Sequence, residues 1–588
     1  MTTSIATSLS SAESAQEPKR LRGGVILAQA LAKKKIQHVF TLSGGFINPV
    51  LEGLAESGIS VMNTPHEQVA GHLADAWTRL TRQPAVCLVG PEGFANTVPA
   101  MLEAFGERSP VIFITGSSTL KRRGAGGFKE VDDVSIARPL MKLSLLVTDG
   151  HRIPEFIDKV YSTAVNGTPG PVHLSVPTDI LYSSYDESAV WSERPYDYNP
   201  KPPRQAWPDP ADLANLTGLV KRAQRPVLIV GSGVQWSDAR NELSNVANRH
   251  GIPVLNAPYH PKILKGDDAA LLGLSDVHLY PPASYAIENA DLAIVLGCRF
   301  DSMLNFGNPP FFPKDLIIVT VNGSASELAE NHGASVSVLG DPGVVLGELG
   351  KLLSRDGYTA SYEWLRANVA RRETWIATTL QTVSAQEKKL PTGKIHPLRL
   401  SLVLADLLTP RDCLVIDGGD THYWAEIALL ATRKKLDDVL HPGPYSLLGC
   451  GVPLALAAKM KEHDRNVVLL SGDGAFLSGG WAIEVAFEEN LPITVVVDNN
   501  EGLGSIAQQQ IRLFGTTFKT KFRDIPFHKV FEALGGYGEV VDKSENIAPA
   551  ITRAIASGLP ACVNVRSESI ASPLIEALTD RRAKSSIE

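Results

Sequence analysis

The stretch SGDGAFLSGGWAIEVAFEENLPITVVVDNN, Ser471 to Asn500, opens with Asp473 between two glycines and closes with paired asparagines. The apolar run Ile493–Val497 leads through Asp498 into those asparagines, and a second run, NVVLLSG, precedes the stretch. The pattern is strand, helix, strand: a parallel crossover whose two strand ends lie side by side. In open parallel α/β sheets, ligands bind beyond the carboxyl ends of the strands. Asp473 and Asn500, 27 positions apart, both fall there. Gly472 and Gly474 free the backbone for tight turns and close ligand approach. Either dipeptide alone reads most simply as a turn. At the two ends of one crossover, a carboxylate, an amide and a backbone carbonyl form a sparse oxygen set. That set suits Mg²⁺, which completes its octahedron from phosphates and water. The helix beginning after Gly474 offers its N-terminus to phosphate. A metal-bridged diphosphate is the expected occupant.

The rest of the chain repeats this α/β rhythm. Short β-branched runs alternate with amphipathic helical stretches through 588 residues, the signature of parallel α/β layers. Candidate strands are HVFTL, AVCLVG and PVIFITG in the first third, and PVLIVGSG, ADLAIVLG and DLIIVTVN in the middle. CLVIDGG, NVVLLSGDG and ITVVVDNN follow in the last third. The proline-rich, mixed-charge segment Ser183–Asp212 is poor material for regular structure and reads as a linker. The expected organisation is a disordered tail over 1–20, α/β domains over 21–184, 205–355 and 390–568, and a C-terminal tail or lid over 569–588. Each of the three domains is expected to be a doubly wound parallel sheet.

Composition fits a soluble globular protein: 44% hydrophobic, 20% charged, net charge −7. No long one-sign block points to nucleic acid or an anionic membrane surface, and no apolar run approaches the roughly 20 residues of a membrane span. The five cysteines show no metal-ligand spacing and fit a reducing compartment. The polar N-terminus has no signal-peptide core, and Glu13 and Glu17 argue against a transit peptide. The expected location is cytoplasmic.

GDG followed at this spacing by NN resembles the metal and diphosphate motif of thiamine-diphosphate (ThDP) enzymes. TPHEQVAGHLADAWTRL, with Glu67 at a strand end, resembles their other half-site. The similarity runs on through GPEGFANTVPAM, GFKEVDDVSIARPLMK, PVLIVGSGV and ADLAIVLGCRFD, over roughly residues 21 to 568. The order is similar to that of acetolactate synthases, benzaldehyde lyase and 2-hydroxyacyl-CoA lyases. These have a pyrimidine-binding domain, a transhydrogenase III-like middle domain and a pyrophosphate-binding domain.

The resemblance implies roles for individual residues. Asp473, Asn500 and the Gly502 carbonyl would bind Mg²⁺. Gly472, Gly474, Ala475 and Leu503 would border the diphosphate, with Gly419, Asp420 and Thr421 a second diphosphate segment. Asp420 would be repelled there, so its side chain is expected to turn away. Leu448 would wedge the cofactor into a bent form, with Gly449 beside it. Glu67 would hydrogen-bond the pyrimidine N1′ and promote loss of the thiazolium C2 proton. In the family these half-sites meet across a subunit interface, which implies a homodimer or homotetramer.

Three departures from the family pattern bear on substrate. Ser43-Gly44-Gly45-Phe46 stands where benzaldehyde lyase carries a catalytic histidine, and Phe46 is either pocket wall or plain core. Phe128-Lys129-Glu130 stands where acetolactate synthase relatives often read Phe-Gln-Glu. Lys129 either reaches a substrate carboxylate, or does acid–base work through a lowered pKa, or is a surface lysine bridging Glu130, Asp132 or Asp133. In the middle domain Trp236 stands where a dinucleotide fingerprint wants its third glycine, after Gly231 and Gly233. The glycine-rich FAD segment of acetolactate synthases is missing too, so FAD is not expected. The expected activity is an acetolactate-synthase-like carboligase or lyase acting on a small carbonyl substrate (2-keto acids, aldehydes or acyloins). The alternatives are a 2-hydroxyacyl-CoA lyase or oxalyl-CoA decarboxylase, and a ThDP-binding subunit without turnover.

Overall fold

The structure, a computed structural model, describes residues 19–192, 205–257, 263–328, 334–359 and 362–585. Three six-stranded, all-parallel sheets follow one another along the chain. In space the N-terminal sheet runs Ser60–Asn63, His38–Thr41, Ala85–Val89, Val111–Ser117, Val172–Pro177, Leu143–Leu146. The C-terminal sheet runs Asp438–Leu440, Cys413–Asp417, Val467–Gly472, Thr494–Asn499, Ala561–Arg566, Tyr537–Val541. Both follow the order second, first, third, fourth, sixth, fifth. The middle sheet runs Leu271–Leu274, Val254–Asn256, Pro226–Val230, Leu292–Leu296, Ile317–Asn322, Val336–Leu339. Its order is third, second, first, fourth, fifth, sixth, which is that of dinucleotide-binding folds. The central strands read as unbroken apolar runs because helices cover both faces. Val468, Leu469, Leu470, Val495, Val496 and Val497 are all buried.

The N- and C-terminal domains share one core. The helix Glu67–Thr81 packs against both Pro91–Glu107 and Gly451–Lys461. A single buried cluster joins Phe40, Trp77 and Met101 to Leu454, Phe476 and Phe531. A second joins the middle domain's Val295 and Tyr280 to Trp424 and Leu470.

The expected linker is partly regular. Ser184–Asp186 pairs antiparallel with Arg20–Arg22, and Glu187–Ser192 is helical. The first of these elements depends on a strand some 160 residues upstream, which local composition does not register. Residues 193–204 and the proposed tail up to residue 18 lie outside the described residues. At the other end, Pro573–Ser585 is a helix against Gly504–Phe514, tied by the Arg512–Asp580 ion pair. Among the described residues, no helix is long and apolar enough to cross a membrane.

Candidate active site

Three adjacent strands of the C-terminal sheet end at one place. The register pairs Asp417 with Ser471 and Gly472 with Asp498, so the turns beginning at Gly418, Asp473 and Asn500 are neighbours. Asp473 Oδ1 accepts the Gly474 N–H at 2.7 Å, and Oδ2 accepts the Gly502 N–H at 2.9 Å. Burial still pushes the Asp473 carboxyl up to about 7, with Asp498 adding like charge. The Asn500 Oδ1 is buried and has no hydrogen-bond partner. Asp498 accepts the Thr421 hydroxyl at 3.0 Å through one oxygen, and its other oxygen is buried without a partner. Among the described residues no lysine or arginine pairs with Asp473 or Asp498. A buried carboxylate with an orphaned amide oxygen beside it costs free energy unless a cation or proton arrives. The donor set therefore fits a hard divalent ion.

The walls of this site are close. A Cβ on Gly474 would lie 2.8 Å from Leu503 Cδ2, and one on Gly472 would lie 3.2 Å from the Thr421 hydroxyl. Gly419 opens the helix Gly419–Thr432, and Ala475 is buried in the first turn after Asp473. Gly502 is pressed against Thr520, and its carbonyl accepts the Gly504 N–H at 3.0 Å. Asp420 turns away from these groups: both its oxygens accept the Ser572 N–H at 3.1 Å. Burial raises it to about 7.

Leu448 is partly exposed beside the site, followed by Gly449 at φ 93°, a conformation that suits glycine. Asp417, which sequence reasoning did not single out, holds this loop by accepting the Gly449 and Gly451 N–H groups at 3.0 and 2.7 Å. Its only sequence signal is its place at the end of CLVID.

Glu67 is buried at the first position of its helix, after the N-cap His66. Its Oε2 accepts the Asn96 side-chain N–H at 2.9 Å. The carboxylate lies flat on Gly93, where a Cβ would stand 2.6 Å from Oε1. Asn96 and Gly93 belong to the helix after the third strand, so Glu67 points across the ligand edge of its own sheet. Asn96 was also missed, since nothing local in GFANT ties it to a residue 29 positions earlier. Among the described residues, no hydrogen bond joins Glu67 to the Asp473–Asn500 site.

Phe46 and Phe128 stack at 6.2 Å, and Lys129 Nζ lies 5.8 and 5.3 Å from their ring centroids. Lys129 pairs with Glu92, not with Glu130, Asp132 or Asp133, because Glu130 turns back onto the Gly124 and Gly127 amides. Gly45, Phe46, Ser118, Thr119, Phe128 and Thr178 line a small cavity of about 300 Å³, and Gly44 and Gly45 have open space around them. Glu92 precedes Gly93, so this group lies one residue from the contact with Glu67.

In the middle domain, Gly231 and Gly233 are used up by packing. A Cβ on either would meet Gly297 at 2.5–2.6 Å. A cavity of about 570 Å³ opens at this switch point, its lining including Arg82, Arg108, Arg299 and Trp236.

Comparison with known proteins agrees with this layout. Residues 21–136 match the N-terminal TPP binding domain of thiamine pyrophosphate enzymes, 213–349 their central domain and 417–565 their C-terminal TPP binding domain. A probable acetolactate synthase of Mycobacterium bovis is 30% identical, covering 94% of this chain and 97% of its own length. A 2-hydroxyacyl-CoA lyase of Arabidopsis thaliana is 27% identical, covering 93% and 96%. A probable acetolactate synthase large subunit of Methanocaldococcus jannaschii is 26% identical, covering 93% and 92%. With all three domains matched in order, the chain belongs to the thiamine pyrophosphate enzymes and is a ThDP-dependent enzyme of the acetolactate synthase and 2-hydroxyacyl-CoA lyase type.

Proposed function

We propose that this enzyme uses ThDP and Mg²⁺ to make or break a C–C bond next to a carbonyl carbon. It would work as an acetolactate-synthase-like carboligase or lyase on 2-keto acids, aldehydes or acyloins. The carrying observation is the buried Asp473, without a lysine or arginine partner among the described residues, beside the unpartnered Asn500 Oδ1 on the neighbouring strand end. Asp473, Asn500 and the Gly502 carbonyl would hold Mg²⁺. Gly419, Thr421, Gly472, Gly474, Ala475 and Leu503 would border the diphosphate.

When bound, ThDP would supply an acidic C–H carbon that, once its proton is removed, can add to carbonyl groups and take up the electron pair of the C–C bond. The chain supplies orientation and proton control. Glu67 would hold a proton at the pyrimidine N1′. Asn96 fixes the carboxylate by occupying Oε2, which leaves Oε1 for another partner. Leu448 would stand as the side chain that wedges the bound cofactor into its bend.

Glu67 and the metal half-site would meet between two copies of the chain, as a homodimer or homotetramer. Trp481, Phe514 and Phe518, on the segments that follow Asp473 and Asn500 and 72%, 64% and 59% exposed, are apolar surface that such an assembly would cover. A second reading, a 2-hydroxyacyl-CoA lyase, is favoured by one observation. The cavity beside the middle-domain switch point is lined by Arg299 and by Arg82 and Arg108 of the N-terminal domain, the latter two also paired with Asp238 and Glu327; guanidinium groups there suit the phosphates of a nucleotide-bearing substrate.

Turnover of pyruvate, benzoin and a 2-hydroxyacyl-CoA on the ThDP- and Mg²⁺-loaded enzyme separates these readings. Pyruvate or benzoin turnover supports the first, and turnover of the thioester alone supports the second. No turnover, together with no C2–H exchange, points to a binding subunit.

A further inference from the structure

The loop that carries Leu448 is held from two domains. On one side Asp417 of the C-terminal domain accepts the Gly449 N–H at 3.0 Å. On the other, Glu103 of the N-terminal domain accepts the Leu447 N–H at 2.9 Å through Oε1. Leu448 sits between these two amides. The start of the loop is bolted to the same N-terminal helices: Arg79 Nη2 donates to the His441 carbonyl at 2.7 Å. Gly443 lies so close that a Cβ there would stand 2.6 Å from Glu103 Oε2 and 2.7 Å from Glu107 Cγ.

The groups beneath the loop are buried. Asp75, Arg79, Glu103 and Glu107 are all 5% exposed or less. Arg79 lies 3.3 Å from Asp75 and 3.6 Å from Glu107, so its charge is shared by two acids before it reaches Glu103. Asp75 also accepts the Ser109 hydroxyl. Facing them from the C-terminal domain are the Cys450 thiol, pushed up by burial, and Asp417. Glu103 Oε2 has no hydrogen-bond partner. The strongest polar contact of this side chain is therefore the Leu447 amide. A buried acid in such a place costs stability, which calls for a reason beyond packing.

We propose that Glu103 is a positioning residue for the cofactor, fixing Leu448 through the Leu447 amide from a helix of the opposite domain. The inference rests on the reading of Leu448 as the side chain that wedges ThDP. It gives the helix Glu67–Thr81 and its neighbour Pro91–Glu107 two duties. Their N-terminal ends carry Glu67 and Asn96, and their C-terminal ends carry Arg79 and Glu103 under the wedge loop of the same chain. An assembly that places Glu67 in the partner's site would thus have each N-terminal domain touch both cofactors.

The test measures ThDP affinity calorimetrically in the full-length enzyme with Mg²⁺, alongside thermal unfolding of the cofactor-free form. Glu103→Ala is expected to weaken ThDP binding about tenfold, the order of one buried hydrogen bond. Glu103→Gln, which keeps an acceptor oxygen, recovers most of that loss. Should Glu103→Ala not fold, Glu103→Asp, one methylene short of the amide, takes its place. A change in unfolding temperature with ThDP affinity unchanged overturns the proposal, because a purely structural role predicts that result. Leu448→Ala separates the two layers. If it leaves ThDP affinity intact, the wedge reading fails and the inference with it. If it weakens binding while the Glu103 variants do not, the inference alone fails.

Discussion

In both the N-terminal and the C-terminal sheet the strands run in the order second, first, third, fourth, sixth, fifth, and each third strand feeds a helix at the centre of the ligand edge. The edges differ in what their side chains still need. Along the N-terminal edge most polar groups satisfy one another, although Asp133 Oδ2, 3.9 Å from His173, is buried without a partner. Ser175 donates to Ser117 at 2.9 Å, Thr41 to the Leu88 carbonyl at 2.7 Å, and His173 bridges Thr115 and Ser144. Burial lowers His173 to about 3, so it is neutral. Along the C-terminal edge Asp417 Oδ1, Asp498 Oδ1 and Asn500 Oδ1 are buried without partners. Asp417 and Asp473 are pushed up to about 6 and 7. One sheet edge has most of its hydrogen bonds made within the chain, keeps Glu67 Oε1 open, and suits a neutral heteroaromatic ring. The other awaits a cation. The same topology thus carries two chemistries, and the division predicts which substitutions remove the cofactor and which leave it bound but idle.

The largest effect belongs to the N-terminal edge. Glu67→Gln keeps the Asn96 hydrogen bond within reach and leaves metal donors untouched, so ThDP and Mg²⁺ still bind. Exchange of the C2 proton is expected to fall by about a hundredfold to ten-thousandfold, the range of acid–base contributions. Hydrogen–deuterium exchange followed by NMR reads this directly. Undiminished exchange would mean that the N-terminal edge does no proton chemistry, and the contrast between the sheets would collapse.

The waiting edge should fail in the opposite way. Asp473→Ala is expected to cost Mg²⁺ and ThDP affinity together, by about a hundredfold or more, while the fold survives, since the variant removes a buried carboxyl without a counter-charge. The same carboxyl predicts a pH dependence. With its group held up to about 7 in the free protein, the metal must displace a proton below that pH. Mg²⁺ affinity should therefore rise by about tenfold per pH unit up to neutrality and then level off. Asp473→Asn should flatten that profile, and a titration of the two proteins from pH 5.5 to 8.5 shows whether it does.

These two residues were legible for a reason that does not extend to their supports. Asp473 and Asn500 occupy the two ends of one crossover, so sequence order alone places them on adjacent strand ends. Glu67 could be read because it opens a helix directly after a strand. Asn96, Asp417 and Glu103 make their contacts across 29, 32 and 344 positions. Those distances are set by how helices and sheets pack, which no local pattern encodes. Gly231 and Gly233 show the reverse problem. They look like part of a nucleotide loop, yet their contact with Gly297 accounts for both, and the arginines of the nearby cavity come from distant segments. The strand Ser184–Asp186 was hidden for the same reason as Glu103, its partner lying far upstream.

Not every unpaired acid in the C-terminal domain waits for a metal, and Glu426 sharpens the comparison by being such a case. It sits mid-helix at the boundary with the middle domain, its Oε1 unpartnered and 3.9 Å from His422. Burial raises Glu426 to about 8 and lowers His422 to about 4, so at neutral pH the pair is uncharged. The folded value lies above the ordinary 4.5. Its contribution is therefore fully present below pH about 4.5, erodes as pH rises, and is lost above about 8. Glu426→Gln should unfold at the same temperature as the parent near pH 5 and at a higher one at pH 8. If added Mg²⁺ stabilised the parent through Glu426, the distinction between strand-end acids and other buried acids would be lost.

The smallest expected effect tests what lies beside the N-terminal edge. Lys129 is exposed, stands over Phe46 and Phe128, and pairs with Glu92 at the surface. A surface pair of this kind contributes roughly 0–1 kcal/mol, so Lys129→Gln should leave thermal stability and ThDP affinity within error. If the ammonium meets a substrate carboxylate, KM for a 2-keto acid should rise severalfold with kcat nearly unchanged, while KM for an uncharged acyloin stays put. Equal KM values for both substrates in parent and variant would make Lys129 a solvated partner of Glu92 and nothing more. In that outcome the aromatic pair alone would shape the pocket. Selectivity should then follow substitution of Phe46 and Phe128, because theirs are the large apolar faces among the residues that line the space of about 300 Å³ next to Gly45.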